Sequence, residues 1–291
     1  MAQSIINCGD LSQADVVLLA ANYDKTSSFG KGADKGPEAI RACLDTQIEF
    51  YHPFAKTSPC DLYKIAYDDL GDLNTLAPAD MVKKVGGEFE NHFNNGKFVL
   101  TVGGEHSVSI GIFETLGKHK PEEITLLQID AHADMRDDDS DYSDHPAGKY
   151  AHCCVMRRAH EAGLKTLQIG LRACSEDEYR YMAENKMPIF TWLTEKTPTV
   201  EEVINSITTE KVYLTIDVDG IDPAYMPATG TPVQGGLGWQ YTRNLIFELG
   251  QKKTLIGADV VEVAPRPGDA LTEFGAAQLC YDIIAAKTAR K

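Results

Sequence analysis

Three apolar, β-rich runs in this chain, Phe98 to Val102, Ile124 to Ile129 and Val212 to Ile216, each end in acids or histidines. The motifs are Gly-Gly-Glu-His, ending at His106, and Asp-Ala-His-Ala-Asp, which holds Asp130, His132 and Asp134. The third, Asp-Val-Asp-Gly-Ile-Asp-Pro, opens with Asp217 and Asp219. A strand repeats every two residues, so a path that stays extended sets Asp130, His132 and Asp134 on one face. Asp217 and Asp219 repeat that arrangement from another strand. Four carboxylates converging at strand ends are costly to bury without cations. One such motif alone reads as loop acids in an acidic protein. Three of them, at three strand ends, point to metal.

These runs belong to a longer alternation. Strands are expected at Val16 to Ala20, Tyr63 to Tyr67, Phe98 to Val102, Ile124 to Ile129, Thr166 to Ile169, Pro188 to Thr191, Val212 to Ile216 and Thr254 to Val261. Helical patterns fall between them: Pro37 to Leu44, Ala79 to Asn95, Val108 to Leu116, Val155 to Ala162, Glu176 to Glu184, Val200 to Ile207, Trp239 to Leu249 and Leu271 to Thr288. Continuous apolar strands alternating with helices predict an α/β fold: a mostly parallel sheet of about eight strands, covered by helices on both faces. With no repeat, low-complexity stretch or linker, residues 1–291 read as a single domain. Sites in such sheets lie beyond the carboxyl ends of the strands, where all three motifs fall.

The net charge of −15 disfavours nucleic acid and anionic membranes as partners, since both require basic patches. No apolar run reaches the roughly 20 residues of a membrane span, and Met1 to Asp10 lacks a signal pattern, so a soluble, cytoplasmic protein is expected. The seven cysteines include no Cys-x-x-Cys pair; Cys153 and Cys154, beside His152, read as reduced thiols near a site. The acidic run Asp137 to Asp144 reads as a solvated loop.

Four carboxylates and two imidazoles make an oxygen-rich ligand set, which suits manganese better than zinc, with nickel, cobalt and zinc left open. Six ligand residues fit two cations that share bridging carboxylates, an arrangement that activates water near neutral pH.

The chain resembles the ureohydrolases, the family of agmatinases, arginases, guanidinobutyrases and formimidoylglutamases. The resemblance begins at Gly32-Ala33-Asp34-Lys35-Gly36-Pro37-Glu38-Ala39-Ile40-Arg41. It runs through the three metal motifs and Ala228-Thr229-Gly230-Thr231-Pro232 to Val261-Glu262-Val263-Ala264-Pro265. It implies the three-layer αβα fold of arginases and two Mn²⁺ ions. One ion would take His106, Asp130, Asp134 and Asp217, and the other Asp130, His132, Asp217 and Asp219. It also implies trimers or hexamers. Glu262 and Thr231 would hold a guanidinium. His152 occupies the place of the family's loop histidine and, with an ordinary pKa near 6.5, would deliver a proton to the leaving amine. Asp134 would help move that proton.

Charge counting agrees with such a substrate. Two divalent cations cancel the four ligand carboxylates, and a bridging hydroxide with Glu262 leaves about −2, suited to a small cationic guanidino compound. The expected reaction is hydrolysis to urea and a primary amine. Around His152, Gly148-Lys149-Tyr150-Ala151 lacks the Ser/Asn-rich loop with which arginases read an α-carboxylate. After Gly170-Leu171-Arg172, Ala173, Cys174 and Ser175 stand where arginases carry acids. Agmatine, giving putrescine, is therefore the expected substrate. Arginine, guanidinobutyrate and aminopropylagmatine are the alternatives, with Lys149 and Arg157 as the side chains that could read a carboxylate. A phosphoesterase lacks its later Gly-Asn-His motif here. A non-catalytic binding protein built on this fold has no reason to keep every ligand.

Overall fold

A computed structural model describes residues 4–141, 147–194 and 196–288. Among these residues, the strands are β1 (Val16–Asn22), β2 (Ile65–Asp72), β3 (Phe98–Gly103), β4 (Ile124–Ile129), β5 (Lys165–Leu171), β6 (Ile189–Thr191), β7 (Lys211–Asp217) and β8 (Thr254–Val261). They form one sheet in the order β2-β1-β3-β8-β7-β4-β5-β6, and every neighbouring pair is parallel. The helices are α1 (Gly36–Thr46), α2 (Pro59–Leu62), α3 (Pro78–Asn94), α4 (Ile110–Leu116), α5 (Val155–Glu161), α6 (Glu176–Glu184), α7 (Val200–Ser206), α8 (Trp239–Lys252) and α9 (Leu271–Thr288). Each expected strand and helix is present.

Alternation along the strands builds the two cores. Val16 and Leu18 of β1, Phe98, Leu100 and Val102 of β3, and Leu127 and Ile129 of β4 face the layer of α1, α7, α8 and α9. Leu19, Val99, Ile124 and Leu126 face α3, α4 and α5. The central strands are buried on both faces and hence apolar throughout, as parallel sheets require. Helix α9 is buried around most of its circumference, against α1, α8 and the sheet. No helix among the described residues is long and apolar enough to cross a membrane.

Differences from the sequence reading lie at edges. β2 was expected to stop at Tyr67 but continues through Asp68 and Asp69; as the sheet's edge strand it leaves these acids partly in solvent. The four-residue helix α2 has no period to read. α4 is preceded by a 3₁₀ turn, His106–Ser109. The acidic run is not wholly solvated: Asp139 is 3% exposed and accepts the N–H groups of Ala147 and Gly148 at 3.0 and 2.8 Å. Tyr142 to Asp144 lie outside the described residues.

Helices α3 and α4 cross backbone to backbone. A Cβ on Gly111 would stand 2.1 Å from the Val82 carbonyl oxygen, and one on Gly86 would stand 2.6 Å from that of Gly111. Gly87, on the exposed side of α3, meets nothing within 4 Å. Gly111→Ala should therefore lower stability by about 1–3 kcal/mol through overpacking. Gly87→Ala should raise it by about 0.5–1 kcal/mol through helix propensity. Thermal melting of the two variants checks both signs; equal melting temperatures would refute this account of the crossing.

Candidate metal centre

The chain lays down β1 to β3 on one side of the sheet, crosses to β4 to β6 on the other, and fills the gap last with β7 and β8. Connections leaving β3 and β4 thus diverge, and the crevice opens over the carboxyl ends of β3, β8, β7 and β4. Every expected ligand and Glu262 follow these four neighbouring strands.

The motif acids meet through local turns rather than strand alternation. Asp130 follows β4, and its Oδ1 accepts the N–H of His132 at 2.6 Å. Asp217 ends β7 and its Oδ1 accepts the N–H of Asp219 at 2.9 Å. An aspartate that binds the N–H two residues on closes a tight turn and brings both side chains to one place. The expectation of one extended path through Asp130, His132 and Asp134 is therefore corrected. Asp134 has φ 51°, in the left-handed region. Its carbonyl accepts the N–H groups of Met156 and Arg157 at 2.9 and 3.1 Å, at the start of α5. Glu262, just past β8, has φ 67° and donates its N–H to the Gly104 carbonyl at 2.8 Å. Such backbone is costly for side-chain-bearing residues and collects at functional sites.

The ligand atoms of His106, Asp130 and Asp217 lie within 4.8 Å of one another, and so do those of Asp130, His132 and Asp219. Asp130 is common to both groups. His106 Nδ1 stands 3.0 Å from Asp134 Oδ2, 3.3 Å from Asp130 Oδ2 and 3.5 Å from Asp217 Oδ2. His132 Nδ1 stands 3.1 Å from Asp219 Oδ2 and 3.6 Å from Asp130 Oδ1. Asp217 sits with the first group and is not part of the second.

A hydrogen-bond relay fixes the His106 tautomer. Thr215 gives its one hydroxyl proton to Asp259 Oδ1 at 2.5 Å, so it accepts from His106 Nε2 at 3.0 Å. Nδ1 then carries a lone pair, and this buried atom makes no hydrogen bond although three carboxylates converge on it. A lone pair facing carboxylate oxygens at 3.0–3.5 Å is repulsive unless a cation lies between them. The ionisation tendencies show the same demand, because without a metal ion a proton on Nδ1 would take the place between the ring and the acids. Despite burial, Asp130, Asp134 and Asp217 push His106 well above its usual pKa, and Asp219 and Asp130 push His132 up to about 12. Burial and neighbouring acids push Asp134 and Asp217 upward, whereas the two histidines, outweighing burial, hold Asp130 down. The cluster demands positive charge, and its oxygen and imidazole donors fit a pair of divalent cations.

Glu262 is 4% exposed. Its Oε1 accepts the His106 N–H at 2.8 Å and lies 4.0 Å from His152 Nδ1. Burial, then Asp217 and Glu105, raise its pKa well above the carboxylate range. Thr231 donates to Asp219 Oδ2 at 3.2 Å. His152 Nε2 is buried with no hydrogen-bond partner among the described residues. Burial and the two ligand histidines lower the His152 pKa to about 4, so the imidazole is neutral near pH 7. The expected ordinary pKa is corrected.

A cavity of about 390 Å³ reaches this cluster, lined by His132, Asp134, His152, Asp217 and Thr231 and also by Arg136 and Glu178. An adjoining groove of about 240 Å³ shares Arg136, Ser175 and Glu178 and adds Asp137, Asp138, Asp141 and Asp177. Arg136 hydrogen-bonds Asp141. The two proposed carboxylate readers are engaged elsewhere. Lys149 lies 5.0 Å over the Tyr150 ring, and Arg157 lies 3.6 Å over the Tyr181 ring with its Nε 3.0 Å from Glu161. Neither lines the main cavity, though Arg157 lines the adjoining groove, where its guanidinium also lies 3.9 Å from Asp137. Cys153 lines it beside a reduced Cys154, with the two sulfurs 3.7 Å apart.

Sequence reasoning missed several supports. Asp259 is an acid in the buried run 257–261, which was itself a signal. Gln128 donates to Asp130 Oδ2 at 2.6 Å. Glu105, inside its motif, is fully buried and accepts the Ser107 N–H at 3.0 Å. Arg172 donates to the carbonyls of Asp219, Gly220 and Val233, tying the loop that carries Thr231 to the Asp219 turn. No local pattern could have shown that last clamp.

Comparison with known proteins agrees with this geometry. The Arginase family model matches residues 14–286. An N(1)-aminopropylagmatine ureohydrolase of Synechocystis sp. is 40% identical over 94% of this chain and 89% of its own. A guanidinobutyrase of Pseudomonas aeruginosa is 32% identical over 94% and 87%. The crystal structure of an agmatine ureohydrolase of Thermoplasma volcanium superposes with a TM-score of 0.86 at 28% identity, covering 99% and 94%. The family is binuclear-metal dependent, in keeping with two ligand groups that share Asp130. The chain belongs to the arginase family and is a ureohydrolase, an enzyme that hydrolyses guanidino compounds.

Proposed function

We propose that this ureohydrolase acts on an agmatine-type substrate whose far end is cationic, and that N(1)-aminopropylagmatine fits better than agmatine. The observation that carries the reading is the groove beyond Glu178, lined by five carboxylates and two guanidinium groups; Arg136 pairs with Asp141, Arg158 with Asp137 and Arg180 with Asp177, and the lining still holds more acids than cations. A second ammonium on an extended tail gains from that field, whereas a carboxylate tail meets repulsion and no donor of its own. The 40% identity to an aminopropylagmatine ureohydrolase supports the same choice.

In this reading His106, Asp130, Asp134 and Asp217 would hold one cation and Asp130, His132 and Asp219 the other, and Asp217, which sits with the first group, would reach the second only by a shift of its side chain. The oxygen-rich set favours Mn²⁺. Bound divalent cations would supply a water-derived nucleophile near neutral pH. The chain's own groups orient the substrate. Glu262 uses Oε1 to hold the His106 backbone, while Oε2, on the Gly230 side, supplies charge toward the guanidinium once bound cations offset Asp217, one of the acids that raise its pKa. Thr231 braces Asp219 and lines the cavity. Neutral His152 offers its free Nε2 to the leaving nitrogen as hydrogen-bond partner and proton relay, not as a standing cation. Asp134, beside the cavity, is the proton carrier on the metal side. Water adds to the guanidinium carbon, the bond to the alkyl nitrogen breaks, and urea and an alkylammonium ion leave. One domain spanning residues 1–291 carries these parts.

Three outcomes are expected. Chelated enzyme should lose activity and regain it with Mn²⁺, and active enzyme should hold about two metal ions per chain by elemental analysis. A fully active preparation with less than about one ion per chain would sink the binuclear reading. Glu262→Gln removes charge while keeping shape, so kcat/KM should fall at least about tenfold with metal content retained. Unchanged kinetics would remove Glu262 from the substrate's surroundings. Across substrates, kcat/KM should be highest for N(1)-aminopropylagmatine, lower for agmatine, and at least about tenfold lower again for arginine and guanidinobutyrate. Arginine or guanidinobutyrate matching agmatine would show that a cation in or beside the groove reads a carboxylate after all.

A further inference from the structure

The His152 imidazole, assigned above to the leaving nitrogen, is not held in place by its own ring. Among the described residues Nε2 has no hydrogen-bond partner, and Nδ1 lies 4.0 Å from Glu262. The hydrogen bond that holds this residue is on its main chain. There the His152 N–H donates to Thr26 Oγ1 at 3.1 Å, a contact spanning 126 residues of sequence. Thr26 lies on the loop after β1, and the Thr26 hydroxyl in turn donates to Glu105 Oε1 at 2.6 Å. The Thr26 N–H reaches the same oxygen at 3.2 Å.

Glu105 is a firm anchor. It is fully buried, its remaining contacts are the Ser107 N–H at 3.0 Å and hydroxyl at 2.8 Å, and its own N–H donates to the Tyr23 carbonyl at 2.8 Å. It immediately precedes the ligand His106. The loop bearing Thr26 is pinned on its other side by Asp24, which accepts the N–H groups of Gly32 and Ala33. One hydroxyl therefore connects the rigid metal-bearing end of β3 to the loop of His152. Ser28 of the same loop lines the cavity.

We propose that Thr26 is a positioning residue for the reaction: its hydroxyl, held by Glu105, sets where the His152 imidazole stands in the cavity. Thr26 touches neither substrate nor ligand. The inference rests on the role given to His152 above, and the two can be tested apart.

Thr26→Val keeps the shape and removes the hydroxyl; Thr26→Ser keeps the hydroxyl. In the metal-loaded enzyme, with agmatine and N(1)-aminopropylagmatine as substrates, Thr26→Val should lower kcat about tenfold with KM within about threefold. Metal content should be unchanged. Thr26→Ser should stay within about threefold of wild type, and exchange of the His152 amide should quicken only in the valine variant. In a His152→Asn background the valine substitution should cost little more, because both act through one group. Wild-type kcat in Thr26→Val, or equal damage in the serine variant, overturns the proposal. So does a full tenfold loss on top of an impaired His152→Asn, which would leave the His152 assignment standing. A wild-type kcat in His152→Asn overturns that assignment and the positioning role with it.

Discussion

Repulsion among the carboxylates of Asp130, Asp134, Asp217 and Asp219, gathered over four neighbouring strand ends, is the constraint that the surrounding structure answers. Nothing apolar could sit there without leaving charges buried and unpaired. The answer on the protein's side is a set of fixed donors. Gln128 takes one oxygen of Asp130, the Ala131 N–H and Thr231 take those of Asp219, and His132 and Asp219 give their N–H groups to the preceding aspartates. These bonds orient the carboxylates without neutralising them. What remains is a concentrated negative charge that only cations can balance, and cations are what the chemistry uses.

Beneath the acids a second set of polar groups runs into the sheet. His106, Thr215 and Asp259 form a line of hydrogen bonds between strands, in a layer otherwise packed by Val99, Ile124 and Leu126. A buried acid such as Asp259 weakens a core unless it has a task. Here it dictates that the ring of His106 donates downward and presents its lone pair upward. The left-handed backbone at Asp134 and Glu262 belongs to the same economy of position. Each residue turns sharply at a strand end, and each uses its main chain to brace a neighbour, α5 in one case and Gly104 in the other.

The fold was legible because a parallel sheet buried on both faces writes its strands as unbroken apolar runs. Phe98 to Val102 and Ile124 to Ile129 were readable almost to the residue. The edge strand β2 was truncated in that reading, since Asp68 and Asp69 look like a loop when the solvent on one side is unknown. The metal ligands were legible for a related reason: acids at the ends of buried strands have few structural uses. Their mode of convergence was not. A strand period and an aspartate turn both bring residues i and i+2 together, and only coordinates separate them. Glu105, Thr26 and Arg172 act through partners dozens of residues away, and local sequence carries no trace of such bonds.

Substrate choice marks the boundary of what ligand motifs can convey. Arginine, agmatine and their relatives present the same guanidinium to the metals, so residues fixed by the metals and the reacting carbon cannot tell them apart. Discrimination must come from groups a chain length away from that carbon, here Arg136, Glu178 and the acids of the adjoining groove. The net effect of those groups depends on pairing, not on residue type. Lys149 and Arg157, two cations near His152 in sequence, looked able to accept a carboxylate, yet one is spent on the Tyr150 ring and the other on Tyr181 and Glu161. Arg136 does border the cavity, but Asp141 already takes its guanidinium. The acids are paired as well, Asp141 with Arg136, Asp137 with Arg158 and Asp177 with Arg180, so the field that reaches the tail is set by the excess of five carboxylates over the two guanidinium groups that line the groove. In the proposed reading, specificity is a property of the ion-pair pattern at the cavity mouth, and the metal cluster supplies the reaction common to guanidino substrates.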